Sequence, residues 1–219
     1  MICVSIGSIS FPELAKLLRS EEFVEIRLDQ NDFSDDELRS IFSTLTKTIA
    51  TCRPGKFKEE ERIKKLKLCV ESGASFIDIE LETMDDSFKE ISILAKVQNC
   101  NLIISHHNYE ETPPISELKK IFRSSQDMGA DIVKIACKVT TEKDNAILLS
   151  LYHCLEDTDT SQLILIGMGE KGKITRVAAP LLGAPFTYAS YEAGKETAQG
   201  QITKSEIEEI IKVITDENN

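Results

Sequence analysis

The sequence holds no apolar run approaching the roughly 20 residues that cross a bilayer, so no membrane span is expected. Its opening, Met1-Ile2-Cys3, leads into a short strand-like stretch with no basic segment ahead of it, so no secretory leader is expected. Positive charge is scarce: 26 Lys and Arg stand against 37 Asp and Glu, a formal net charge of −11. Nucleic acid and anionic lipid are both gripped by basic patches, which argues against either partner. A small anionic substrate in a locally positive pocket remains compatible with that charge. The six cysteines (3, 52, 69, 100, 137 and 154) include no CxxC pair and no adjoining histidine pattern. Neither zinc nor a redox pair is therefore indicated, no cofactor is expected, and the thiols read as small buried hydrophobes in a reducing cytoplasm. No linker or low-complexity segment divides the chain, and residues 1–219 read as one domain.

What is present is regular. Apolar residues make up 41% and charged residues 29% of the 219, ordinary for a soluble globular chain. Strand-like runs begin near Ile2, Phe23, Thr48, Ser75, Asn101, Asp131, Gln162 and Ala184, in steps of 21 to 31 residues. Amphipathic stretches lie between them. Ser10 with Glu13, Ser34 with Glu37 and Thr203 with Glu206 fit capping boxes that start helices, and Gly73 and Gly129 fit helix ends. Ile207, Ile210, Ile211 and Ile214 form one face of a last helix. Eight βα units with short connections predict an α/β fold of the (β/α)8 TIM-barrel type. An open doubly wound sheet is the alternative. It is disfavoured because Gly7-Ser8-Ile9-Ser10, after the first strand, is not a G-x-G-x-x-G phosphate loop.

In a strand, alternate residues share a face. Glu25, Arg27 and Asp29 share one, as do Ile49, Thr51 and Arg53, then Phe76, Asp78 and Glu80, then Ile103, Ser105 and His107. Lys134 sits within the apolar strand Asp131–Cys137. Burial disfavours an ammonium, and a neutral amine is a nucleophile toward carbonyl carbon, so Lys134 is a candidate for a Schiff base. The plainer alternative is a lysine that snorkels to water or pairs with a carboxylate. In a closed barrel the polar strand ends converge, and such clusters concentrate at active sites. His107 lies on the face of Ser105, whereas His106 points the opposite way and packs outward. Histidine suits the proton shuttling that imine chemistry needs. Arg176 follows the seventh strand, where barrels often bind anions; it is either a carboxylate or phosphate fork or an ordinary surface residue.

Taken together, these pieces resemble the type I 3-dehydroquinate dehydratase family over nearly the whole chain and in order. The matching segments are Val4-Ser5, Glu25 to Asp29, Thr51-Cys52-Arg53, Asp78-Ile79-Glu80, Ser105 to Tyr109 with Thr112-Pro113, Asp131 to Ala136, Met168, Gly172 to Arg176, and Gly200-Gln201-Ile202. The resemblance implies a homodimeric barrel in which Lys134 forms an imine with the C3 ketone of 3-dehydroquinate. It implies that His107 removes a C2 proton and returns one to the departing C1 hydroxyl, a syn elimination of water. It further implies Arg176 as carboxylate clamp and Glu25, Arg27 and Arg53 as holders of the ring hydroxyls and of the charge balance. Gln201 would belong to a lid, and Ser5 would be a lesser contact.

The chain departs from the family pattern in three places. It begins at strand one, without the N-terminal hairpin that plugs the barrel bottom of longer relatives, so the bottom is expected to be more open or covered otherwise. Where many relatives carry a histidine-orienting glutamate before Gly-Gly, this chain reads Arg53-Pro54-Gly55-Lys56-Phe57-Lys58-Glu59-Glu60-Glu61, and which glutamate takes that part stays open. The lid reads Thr197-Ala198-Gln199-Gly200-Gln201 instead of Ser-Ala-Pro-Gly-Gln. Two other classes compete. A class I aldolase shares the lysine strand but not the set of His107, Arg176 and Gln201. A non-catalytic anion-binding barrel would have no need of the lysine or the histidine.

Overall fold

The computed structural model describes residues 1–83, 86–155 and 160–216. Strands β1 (Ile2–Ile6), β2 (Phe23–Arg27), β3 (Lys47–Thr51), β4 (Phe76–Glu80), β5 (Asn101–Asn108), β6 (Ile132–Lys138), β7 (Leu163–Met168) and β8 (Thr187–Ser190) alternate with helices. The helices are α1 (Phe11–Leu17), α2 (Asp35–Phe42), α3 (Glu59–Glu71), α4 (Asp86–Val97), α5 (Ile115–Asp127), α6 (Glu142–Cys154), α7 (Ile174–Leu181) and α8 (Lys204–Thr215). The strands are parallel, in the order β7-β6-β5-β4-β3-β2-β1-β8. This is a nearly closed (β/α)8 TIM barrel, as the spacing of the strand-like runs predicts. Among the described residues no helix is long and apolar enough to cross a membrane.

Local signals place most boundaries. All three expected capping boxes form, and Thr141 with Asp144 adds another at the start of α6. Seven strands start within one residue of the expected position. The eighth starts at Thr187 instead of Ala184. Pro185 lies between, and proline has no N–H to give a ladder. Thr187 N–H is the first to bond back, to Met1 O at 3.2 Å.

The outward strand faces pack under the helices, through residues such as Ile26, Ile77 and Ile104 on one side and Val133, Ile135 and Leu165 on the other. The barrel interior forms a separate cluster. Its N-terminal end is filled by Phe23, Phe76 and Phe186, with ring centroids 4.8 to 5.9 Å apart. These rings fill the barrel floor, which was expected to be either more open or covered in some other way. The floor is thus apolar and the opposite end polar, which puts the chemistry at the C-terminal mouth. Helix α8 departs from its pattern: only Ile207 of the expected face is buried, while Ile210 and Ile214 are exposed. Cys3, Cys52, Cys69, Cys100 and Cys137 are buried free thiols, as expected from their apolar surroundings, and Cys154 is half-buried.

Candidate active site

The C-terminal strand ends surround a cavity of about 460 Å³. Glu25, Arg27, Arg53, His107, Lys134, Arg176 and Gln201 all line it. These residues span most of the chain; parallel pairing brings them together. On β5 and β6, Ser105 stands opposite Lys134 and His107 opposite Ala136. His107 therefore lies two residues, about 6–7 Å, nearer the mouth than Lys134 on the same inward face.

Lys134 is almost fully buried and its ammonium does not snorkel to water. Nζ donates to Asp78 Oδ2 at 3.0 Å and lies 3.8 Å from Glu25 Oε1. It also sits 4.1 Å from the centroid of the Tyr188 ring. Burial alone does not describe Lys134, because two carboxylates and a π-face stand where water would be.

Asp78 is shared. Arg53 grips it as a fork, Nη1 to Oδ1 at 2.9 Å and Nη2 to Oδ2 at 2.7 Å. Ser105 Oγ donates to Oδ1 at 2.5 Å. Burial alone would raise the Asp78 carboxyl, but Arg53 and Lys134 outweigh it and hold the group well below the usual carboxylate range. Glu25 is buried with Thr51 Oγ1 donating to it at 2.8 Å and Ser5 Oγ donating on its other oxygen. Ser5 is fully buried behind Glu25 and does not line the cavity. Arg27 is held by Asp29, Nε to Oδ1 at 3.0 Å and Nη2 to Oδ2 at 2.7 Å.

His107 is nearly enclosed. Burial, reinforced by the nearby positive charges of Arg53 and Lys134, pushes its imidazole well below 6.5, against an opposing pull from Asp78. The ring is therefore neutral near pH 7 and able to accept a proton. It stacks on Tyr109, centroids 5.9 Å apart. His106 turns away as expected and pairs with the Glu82 carboxylate. Of the three glutamates in the first turn of α3, Glu59 is bonded to Arg62, at 2.9 Å from Nε, and Glu60 and Glu61 are exposed.

Arg176 is not a surface residue; it is 1% exposed. It lies at the seam between β7 and β8, across which no strand ladder is formed among the described residues. Its Nε donates to Gly200 O at 2.8 Å and Nη1 to Tyr188 O at 3.2 Å. These partners are neutral carbonyls, so burial pulls the guanidinium down to about 10, with Glu25 opposing. A desolvated cation on the wall of a cavity is a strong attractor for a carboxylate.

The segment 197–201 folds over the mouth. Thr197 N–H donates to Gln201 Oε1 at 2.7 Å, Thr197 Oγ1 lies 2.6 Å from Ser5 Oγ, and Arg27 Nη1 reaches Thr197 O at 3.4 Å. Gly200 has φ +77°, and a Cβ there would collide with the Gly169 carbonyl. Only glycine lets the segment close this tightly on the loop after β7.

Sequence reasoning placed Asp78, Glu80, Thr51 and Ser105 on inward faces without giving them roles. Tyr188 and the anchoring part of Thr197 had no local signal. The arrangement joins a buried amine, a neutral imidazole, a guanidinium bonded only to carbonyls and further polar side chains around one cavity. Such a set can attract a small polar anion and accept a proton from it.

A family model described as Type I 3-dehydroquinase matches residues 2–218. The 3-dehydroquinate dehydratase of Desulfotalea psychrophila is 35% identical over 217 residues, covering 94% of this chain and 94% of that protein. The 3-dehydroquinate dehydratase of Dehalococcoides mccartyi is 33% identical over 225 residues, covering 100% and 97%. Among solved structures, the 3-dehydroquinate dehydratase from Aquifex aeolicus has a TM-score of 0.82 and 31% identity, with 99% of each chain covered.

Proposed function

The chain belongs to the type I 3-dehydroquinase family, and is with it a hydro-lyase of the shikimate pathway; from that premise we propose that it dehydrates 3-dehydroquinate through an imine on Lys134, with His107 as general acid and base. The substrate carboxylate docks on Arg176. Arg27, Arg53, Glu25 and Gln201 hold the ring hydroxyls and the charge balance, with Ser5 acting behind Glu25. The proton of the Lys134 ammonium passes to neutral His107, and the freed amine adds to the C3 ketone. His107 returns the proton as the carbinolamine loses water, giving a protonated imine. The iminium draws electrons from the adjacent C–H, so His107 takes the C2 proton and leaves an enamine. The enamine pushes out the C1 hydroxyl, protonated by His107, and the electron pair closes the C1–C2 double bond. Hydrolysis of the imine then frees 3-dehydroshikimate and Lys134. No metal or organic cofactor enters these steps.

The observation that carries this reading is the shared cavity of a buried lysine and a neutral histidine. Borohydride reduction with 3-dehydroquinate, followed by intact mass, tests it. The expected result is a single adduct, absent in Lys134→Ala. No adduct in the parent chain, or the same adduct in the variant, removes the imine.

We further propose a homodimer in the cytoplasm. Exposed Leu181 and Leu182 at the end of α7 and Ile210, Val213 and Ile214 on α8 support an apolar contact face. The free thiols fit a reducing compartment. Sedimentation velocity on the parent and Val213→Glu tests the dimer; a monomeric parent overturns it.

A further inference from the structure

Among the described residues, Nδ1 of His107 is buried without a hydrogen-bond partner. Such an atom costs free energy and leaves the tautomer unset, because the proton's place on one ring nitrogen is decided by what the other bonds. A general base needs that decision made. Glu80, at the end of β4, shares the inward face of Asp78, and its Oε1 lies 3.6 Å from His107 Nδ1 and 3.6 Å from Arg53 Nη1. Glu80 does not line the cavity. It is placed to touch the histidine and not the substrate.

We propose that Glu80 is a positioning residue for this reaction: by closing less than an ångström, its carboxylate accepts the Nδ1–H of His107 and leaves Nε2 as the free base facing the cavity. This inference rests on the acid–base reading of His107. A gap of 3.6 Å is outside hydrogen-bond range but within the reach of a side-chain adjustment, and catalytic hydrogen bonds often tighten only with substrate bound. The charge logic agrees. Burial raises the Glu80 carboxyl while Arg53 opposes that rise, so a second cationic partner steadies the carboxylate. When His107 takes the substrate proton it becomes that partner, and the imidazolium forms beside a negative charge. The anchor then comes from the strand next to β5 and not from the start of α3, whose Glu59 is committed to Arg62.

The test compares the parent, the isosteric Glu80→Gln and Glu80→Ala in steady-state turnover of 3-dehydroquinate across pH, with borohydride trapping alongside. The expected kcat falls by roughly 10–100-fold, more in Glu80→Ala than in Glu80→Gln. KM stays within about twofold, because Glu80 does not contact substrate. The acid limb of kcat/KM moves to lower pH, since losing a carboxylate disfavours the imidazolium. The imine still forms. Unchanged kcat and pH profile overturn the proposal. So does a loss expressed as raised KM with an unmoved limb, which would mean that Glu80 only braces Arg53. A parent chain that forms no imine and turns nothing over would instead overturn the dehydratase mechanism itself, so the two failures are distinguishable.

Discussion

Lys134 Nζ and Asp78 Oδ2 stand 3.0 Å apart inside the barrel, and the same carboxylate holds Arg53 through both of its oxygens. One buried anion thus serves two cations, one of which is the proposed nucleophile. Lys134 Nζ is held by that carboxylate, with Glu25 Oε1 3.8 Å away, and the proposed attack has to draw it out of this pairing.

Removing that anion strands two buried positive charges. Asp78→Asn is expected to destabilise the fold by about 3–5 kcal/mol, the usual cost of breaking a buried pair. Differential scanning calorimetry reads this as a fall in Tm of roughly 10 °C for a chain of this size. The pH dependence has a defined sign. The folded carboxyl is held below its ordinary 3.8, so its contribution is present above 3.8 and is lost as pH falls through the folded value. Stability between pH 5 and pH 2 should fall more steeply in the parent than in Asp78→Asn; equal slopes would refute the pairing.

His107 is neutral because burial and two cations disfavour its charged form. The acid limb of kcat/KM should therefore lie below pH 6.5, read from steady-state rates. His107→Ala should still yield the borohydride-trapped adduct but turn over about 10²–10⁴-fold more slowly. Full activity in that variant removes the histidine from the mechanism. The sign for stability is the reverse of a salt-bridged histidine: the unfolded ring takes up a proton first, so folding stability declines as pH drops from 6.5 toward the folded value.

Arg176 links the cavity wall to the segment 197–201 through Gly200 O and to β8 through Tyr188 O. Arg176→Lys keeps a charge but loses the fork. Its KM is expected to rise at least about tenfold, a loss of 1.4 kcal/mol or more in binding. Limited proteolysis should cut residues 191–201 faster in the variant. An unchanged KM would mean that the substrate carboxylate binds elsewhere.

The apolar floor is a separate unit. Phe186→Ala leaves a hole against Phe23, Phe76 and Tyr188. Urea unfolding should show a loss of about 3–5 kcal/mol, while KM for the remaining folded enzyme changes little. A large KM change with intact stability would contradict the division between floor and mouth.

Chelation offers a simple control on the chemistry. Dialysis against EDTA should leave kcat unchanged, since each proton and electron pair in the proposed steps is carried by Lys134 or His107. Loss of activity restored by a divalent cation would contradict this.

Much of this was legible without coordinates. The period-2 alternation of a strand and the capping chemistry of a helix are local, so the eight units, the starts of seven strands and the inward faces of Glu25, Arg53, Asp78, His107 and Lys134 follow from the order of residues. Pro185 could have corrected the start of β8 by the same local logic. Only the tertiary structure decided which charge faces which. The pairing of Lys134 with Asp78, and the 3.6 Å approach of Glu80 to His107, depend on the register between neighbouring strands and on side-chain reach across the barrel, and neither is written in the spacing along one strand. The same holds for Arg176, which a sequence window reads as a first-turn cation. It is buried because the chain from β8 returns over it and lays carbonyls against its guanidinium. The segment 197–201 closes because Gly200 meets Gly169 across the β7–β8 seam, a contact between residues 31 positions apart in sequence.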